Sequence, residues 1–146
     1  MAHAHTQIRA ALVTALPGLS TTGSRIFANR LYPLTDADLP GLRIFTDADA
    51  VDAQSMHTPH MQGHALTVVV ECCAKANTAL DATVDQIQLE VEEALADGLT
   101  VGGIWLQPVL TASQYTDEPG GTAVGVKRLE FSLTYQTLND APDVIL

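Results

Sequence analysis

Residues 65–74 constrain the fold more than any other stretch of the chain. The segment is almost continuously apolar, with Val68, Val69 and Val70 at its centre. It is far shorter than the roughly 20 residues a membrane-spanning helix needs, and three β-branched residues in a row favour a strand. An apolar run without alternation predicts a central strand covered on both faces. It therefore needs neighbouring strands on both edges and further layers packed above and below. Cys72 and Cys73 lie in this run. Neighbours in a strand point to opposite faces, so the two thiols cannot easily bridge, and they read as small buried hydrophobes.

The segments around this strand supply the layers. Residues 6–16 carry Ile8, Leu12 and Leu16 at helical spacing, with Thr6 as a cap and Pro17-Gly18 as a stop. Residues 25–32 predict a strand ended by Pro33, residues 35–40 a turn, and residues 42–46 a second short strand. Residues 47–64, with three aspartates, Pro59 and Gly63, read as a long polar loop. A helix follows from Asn77 or Thr78 to Asp97, with Thr78 and Asp81 at capping-box spacing and Gly98 as its stop. Residues 104–115 and 124–138 form the arms of a hairpin whose tip is residues 116–123. In the second arm Leu129, Phe131, Leu133 and Tyr135 alternate with polar residues, as in a half-buried antiparallel strand. The expected fold class is α+β: a single mixed, largely antiparallel sheet, two helices packed on it and a projecting C-terminal β-hairpin. Residues 1–138 make one domain, and residues 139–146 form a tail without a pattern.

Motifs that carry chemistry are missing. His57, His60 and His64 could converge on a metal only if their segment were helical, and Pro59 and Gly63 oppose that. Asp47, Asp49 and Asp52 lack the glycine and distal glutamate of a calcium loop. Gly102-Gly103 and Gly120-Gly121 lack the companions of a phosphate loop. No nucleophile elbow or catalytic cysteine signature is present. The expectation is a non-enzymatic protein with no catalytic residues, no metal and no cofactor. With neither a secretory signal nor a membrane span, it is expected to be soluble and to be made in a cytoplasm.

Charge is distributed unevenly. The formal net charge is -10, from 17 acids against 7 Lys and Arg, which disfavours attraction to phosphate. Residues 1–35 hold Arg9, Arg25 and Arg30 and no acid, while every acid lies in the remainder. Such polarity suits a subunit that docks head to tail on copies of itself. The main helix sharpens this. At 100° per residue, Leu80, Val84, Ile87, Val91, Ala94 and Leu95 form the core face. Leu89 falls opposite, flanked by Asp85, Glu92 and Glu93. Glu92, Glu93 and Asp97 crowd the helix C-terminus, where the macrodipole disfavours negative charge. Arg9, Arg25 and Arg30 of one subunit facing Asp85, Leu89, Glu92 and Glu93 of the next is the expected interface.

Several short motifs, in order along the chain, resemble the minor tail protein U-like tail terminators of long-tailed phages. They are His5-Thr6-Gln7-Ile8-Arg9-Ala10-Ala11, Phe27-Ala28-Asn29-Arg30, Asp36-Ala37-Asp38-Leu39-Pro40, Leu80-Asp81-Ala82 and Leu133-Thr134-Tyr135. The resemblance implies a hexameric ring at the head-proximal end of the tail tube, in the virion. Such a ring stops tube polymerisation and offers a surface to the head-tail connector. DNA would pass through it without specific binding, beside a lumen or partner surface drawn from Asp47, Asp49 and Asp52 or from Asp117 and Glu118. The alternatives are another neck, tail-completion or tube protein, and a metal-dependent enzyme using the histidines.

Overall fold

In the computed structural model the apolar run becomes the middle of a five-stranded sheet. The structure describes residues 2–28, 35–75, 78–118 and 124–146, without the side chains of Asp36, Asp117 and Glu118. The elements in chain order are α1 (Ala4–Ala15), β1 (Ile26–Phe27), a 3-10 turn (Asp36–Asp38), β2 (Gly41–Ala53), β3 (Met61–Lys75), α2 (Leu80–Leu95), β4 (Leu99–Val101), β5 (Ile104–Leu106), β6 (Val109–Glu118) and β7 (Val124–Leu138). The sheet order is β1-β2-β3-β7-β6, and β4 and β5 form a separate small hairpin. Among the described residues only β1 with β2 is parallel. The mixed, largely antiparallel sheet with two helices is the expected fold class.

The period of two in the strands sets the two faces. Leu66, Val68, Val70 and Cys72 of β3 join Leu129, Phe131 and Leu133 of β7 in one core with Ile8 and Leu12 of α1 and Ile87 and Val91 of α2. Burying each such side chain contributes roughly 1.5–3 kcal/mol. On the opposite face Cys73, Val124 and Val126 cluster with Leu39. Both cysteines are buried, one on each face.

Four differences from the sequence reading have local causes. The expected loop of residues 47–64 is mostly strand: β2 runs to Ala53, β3 starts at Met61, and only residues 54–60 join them. A register shift between Thr46 and Asp49 explains the misreading, because a bulge breaks the alternation that marks a strand. Asp47, Asp49 and Asp52 are therefore strand residues rather than loop residues. Second, the caps differ. α1 is capped by the His3 side chain, which accepts from the His5 backbone, and Thr6 sits inside the helix. α2 begins at Leu80 behind Ala79 with no side-chain cap, and Asn77 lies outside the described residues. Third, the first arm of the C-terminal hairpin is interrupted after β5 at Gln107-Pro108, where proline has no N–H for a ladder. Fourth, the C-terminal residues are docked. The Ala4 and Leu146 amides donate to Pro142 and Gln136, and Ile145 joins the core. Half of the expected first strand, residues 29–32, lies outside the described residues.

Candidate functional site

The sheet order separates the charges in space. α1 packs over β2, and α2 packs over β3 and β7. The basic residues thus sit on the β1–β2 side. The Arg9 guanidinium donates to the Thr46 hydroxyl at 3.0 Å and the Thr6 hydroxyl at 3.2 Å. Arg25 donates to the backbone carbonyls of Pro40 at 2.6 Å and Thr21 at 3.1 Å. These acceptors are neutral, so among the described residues neither arginine meets a carboxylate. Arg30 lies outside the described residues.

The acidic face of α2 borders the other side of the sheet. Asp85 pairs with Lys127 of β7 at 2.7 Å, and Glu92 lines a shallow recess with Pro108, Leu110 and Phe131. Leu89 is 49% exposed, as its place opposite the core face requires. Glu93 is exposed beside it. No basic residue occupies the last turn of α2. Glu90 points towards the segment between α1 and β1 instead: its carboxylate accepts from the Thr21 amide and hydroxyl at 2.9 and 2.6 Å. Partial burial raises its pKa, but the Thr21 hydrogen bonds outweigh that and lower it.

Behind the α1 face lies a cluster that the sequence reading missed. Asp49 Oδ2 is 2.8 Å from both His5 Nε2 and His64 Nδ1. His64 Nε2 is 2.9 Å from the Thr137 hydroxyl, and Tyr135 stacks on the His64 ring at 4.5 Å. Burial pushes the Asp49 pKa up, and the two imidazole hydrogen bonds overcome this to hold it below the ordinary 3.8. Burial and then Asp49 push the Tyr135 phenol up. Asp49 Oδ1 and the Tyr135 hydroxyl are both buried without a hydrogen-bond partner among the described residues. Carboxylate, imidazole and hydroxyl follow one another as in a hydrolase triad, but the Thr137 hydroxyl that would attack is 1% exposed and out of a substrate's reach. The cluster fastens α1 to β2, β3 and β7.

The remaining sequence candidates disperse. Asp47 pairs with Arg128 of β7 at 3.1 Å. Asp52 is exposed on the distal part of β2. Asp117 and Glu118 end β6, and their side chains lie outside the described set. His57 and His60 lie in the turn at residues 54–60 while His64 points into the Asp49 cluster, and no metal-holding group of ligands occurs among the described residues. A shallow depression of about 600 Å³ is lined by Val51, Tyr135, Leu146 and Trp105, which is 60% exposed.

The arrangement of elements has a counterpart in a solved virion. A chain in the virion of a native gene transfer agent (GTA) particle superposes with a TM-score of 0.58 over 89% of this chain and 95% of that one. At 18% identity the likeness is one of fold. The fold is thus one used by a virion particle. Residues 3–135 match the family described as phage minor tail protein U, and the chain belongs to that family. Its general role is that of a structural component of the phage tail. No curated protein matches the sequence.

Proposed function

We propose that copies of this chain close head to tail into a ring, of six subunits as the family resemblance implies, that caps the head-proximal end of the tail tube. The ring ends tube polymerisation and presents its free surface to the head-tail connector, and DNA passes through its hole unbound. Assembly takes place in the host cytoplasm, and the finished ring belongs to the virion.

One observation supports this reading: Arg9 and Arg25, which donate to neutral oxygens on the β1–β2 side, lie away from Asp85 and Glu92, which border β7 and β6. A surface that is complementary to a different surface of the same molecule makes heterologous contacts, and a rotation that closes gives a ring. Arg9 and Arg25, with Arg30, meet Glu92, Glu93 and Leu89 of the neighbour. Asp85 contributes less, because Lys127 already neutralises it. Residues 54–60, which carry the fully exposed Met56, and the tip at residues 116–123 are the surfaces for tube and connector.

Mass measurement in solution and a two-dimensional image of the particle test this. A closed ring of defined mass is expected. Open stacks of indefinite length would make the chain a tube subunit, and a monomer at high concentration would end the proposal.

A further inference from the structure

β6 is the outermost strand of the sheet, and its outer edge pairs with no strand among the described residues. At 10 residues it is longer than a usual strand of about 5–6. Residues 111–116 are all exposed. From Val109 to Thr116 the strand has no charged residue, no proline and no glycine, while Val109, Thr111, Tyr115 and Thr116 favour extended backbone.

Edge strands of folded proteins are normally protected by charge, proline, shortness or a bulge, because their open N–H and C=O groups recruit other strands. Here the devices are confined to the ends, a register shift between Leu110 and Ala112 at one and the charged Asp117 and Glu118 at the other. The stretch between them is an open template; on its flank Lys127 and Asp85 neutralise each other, and Glu92 borders Leu110.

We infer that β6 is covered in the assembled particle by an extended segment from the β1–β2 side of a second copy of this chain, so that the sheet continues from subunit to subunit. Charge complementarity selects this occupant. The β7–β6 side carries Asp85 and Glu92 of α2, and the β1–β2 side carries Arg9 and Arg25, which among the described residues bond only neutral oxygens. The inference rests on the head-to-tail ring proposed above and adds a backbone contact to its charged one.

Amide hydrogen exchange on the assembled particle, compared with the same protein dissociated by dilution, tests it. In the dissociated chain alternate β6 amides face β7 and are protected, while the outward ones exchange freely. Assembly is expected to slow the outward amides between Val109 and Glu118 at least about tenfold. A closed ring whose outward β6 amides stay fast overturns the edge pairing and leaves the ring standing. A particle of two subunits with protected β6 amides overturns the head-to-tail placement, since β6 would then pair with its own copy. A protein that never assembles overturns both.

Discussion

Asp49 does the most at the scale of single residues. Its carboxylate oxygen holds two imidazoles from two different elements, and this contact is made in a largely buried setting with 12% of the side chain exposed. Because hydrogen bonding lowers its pKa below 3.8, the stabilisation is present above that value and is lost as pH falls through the lowered one. Asp49→Asn is expected to cost about 2 kcal/mol at neutral pH, the usual scale for a buried hydrogen-bonded charge. Urea unfolding at a series of pH values checks this, and the gap between the two proteins is expected to shrink below about pH 4. A gap independent of pH would mean that the carboxylate charge is not what matters. Gly98 is a second such residue. Its φ of +83° closes α2, and a Cβ there would sit 2.8 Å from the Leu106 carbonyl and closer still to the Trp105 ring. Gly98→Ala is expected to lower Tm by roughly 5 °C, combining left-handed strain with displacement of Trp105. Gly98 as a helix stop is readable from sequence because helix and glycine are adjacent. The Asp49 cluster is not, because a bulge two residues upstream decides which face the carboxylate takes.

At the scale of elements, α2 separates two functions by face. Val84, Ile87, Val91 and Leu95 are buried, while Glu92 and Glu93 remain at a helix end that has no basic residue. The Glu92→Lys, Glu93→Lys double variant reverses the charge offered to a neighbour and relieves the repulsion between acid and macrodipole. The expected result is paired: assembly weakens about tenfold or more, while the isolated subunit unfolds at an equal or higher temperature. Sedimentation and thermal unfolding read the two separately, and high salt should weaken wild-type assembly in the same direction. Assembly indifferent to both changes would place the interface elsewhere. The faces of this helix are legible because a period near 3.6 persists over 16 residues. The distal half of β2 is not, since Asp47, Asp49 and Asp52 imitate a polar loop while two of them are held by Arg128 and by the imidazoles. The β4–β5 hairpin carries a readable signal. Gly102 and Gly103, both with positive φ, join β-forming residues as a tight hairpin turn requires.

For the whole molecule, strand order turns a linear charge asymmetry into a lateral one. The N-terminal quarter is basic in sequence, but only the placement of α1 over β2 and of Asp85 and Glu92 beside β7 and β6 separates Arg9 and Arg25 from those acids across the sheet. Sequence periodicity can give strands and faces, but the order β1-β2-β3-β7-β6 depends on long-range pairing. In the proposed ring the same charge distribution bears on the passage of DNA. Each Lys or Arg that contacts phosphate releases counterions and holds the duplex, so a hole that lets DNA move must be poor in free cations. Lys127 and Arg128 are already engaged by Asp85 and Asp47. Asp49 is turned inward to its histidines, which leaves Asp47, Asp52 and the acidic pair Asp117 and Glu118 as the candidates to line the hole. With a net charge of -10 on each subunit, the lumen is expected to be acidic or neutral, and duplex DNA to show no measurable binding to the ring even at low salt. Asp47→Lys with Asp52→Lys should create salt-sensitive binding if those positions face the hole, whereas unchanged behaviour would assign the lining to residues 117 and 118. A ring structure with Arg25, Lys127 or Arg128 lining the hole, together with duplex binding by the wild type, would sink the idea of a repelling channel.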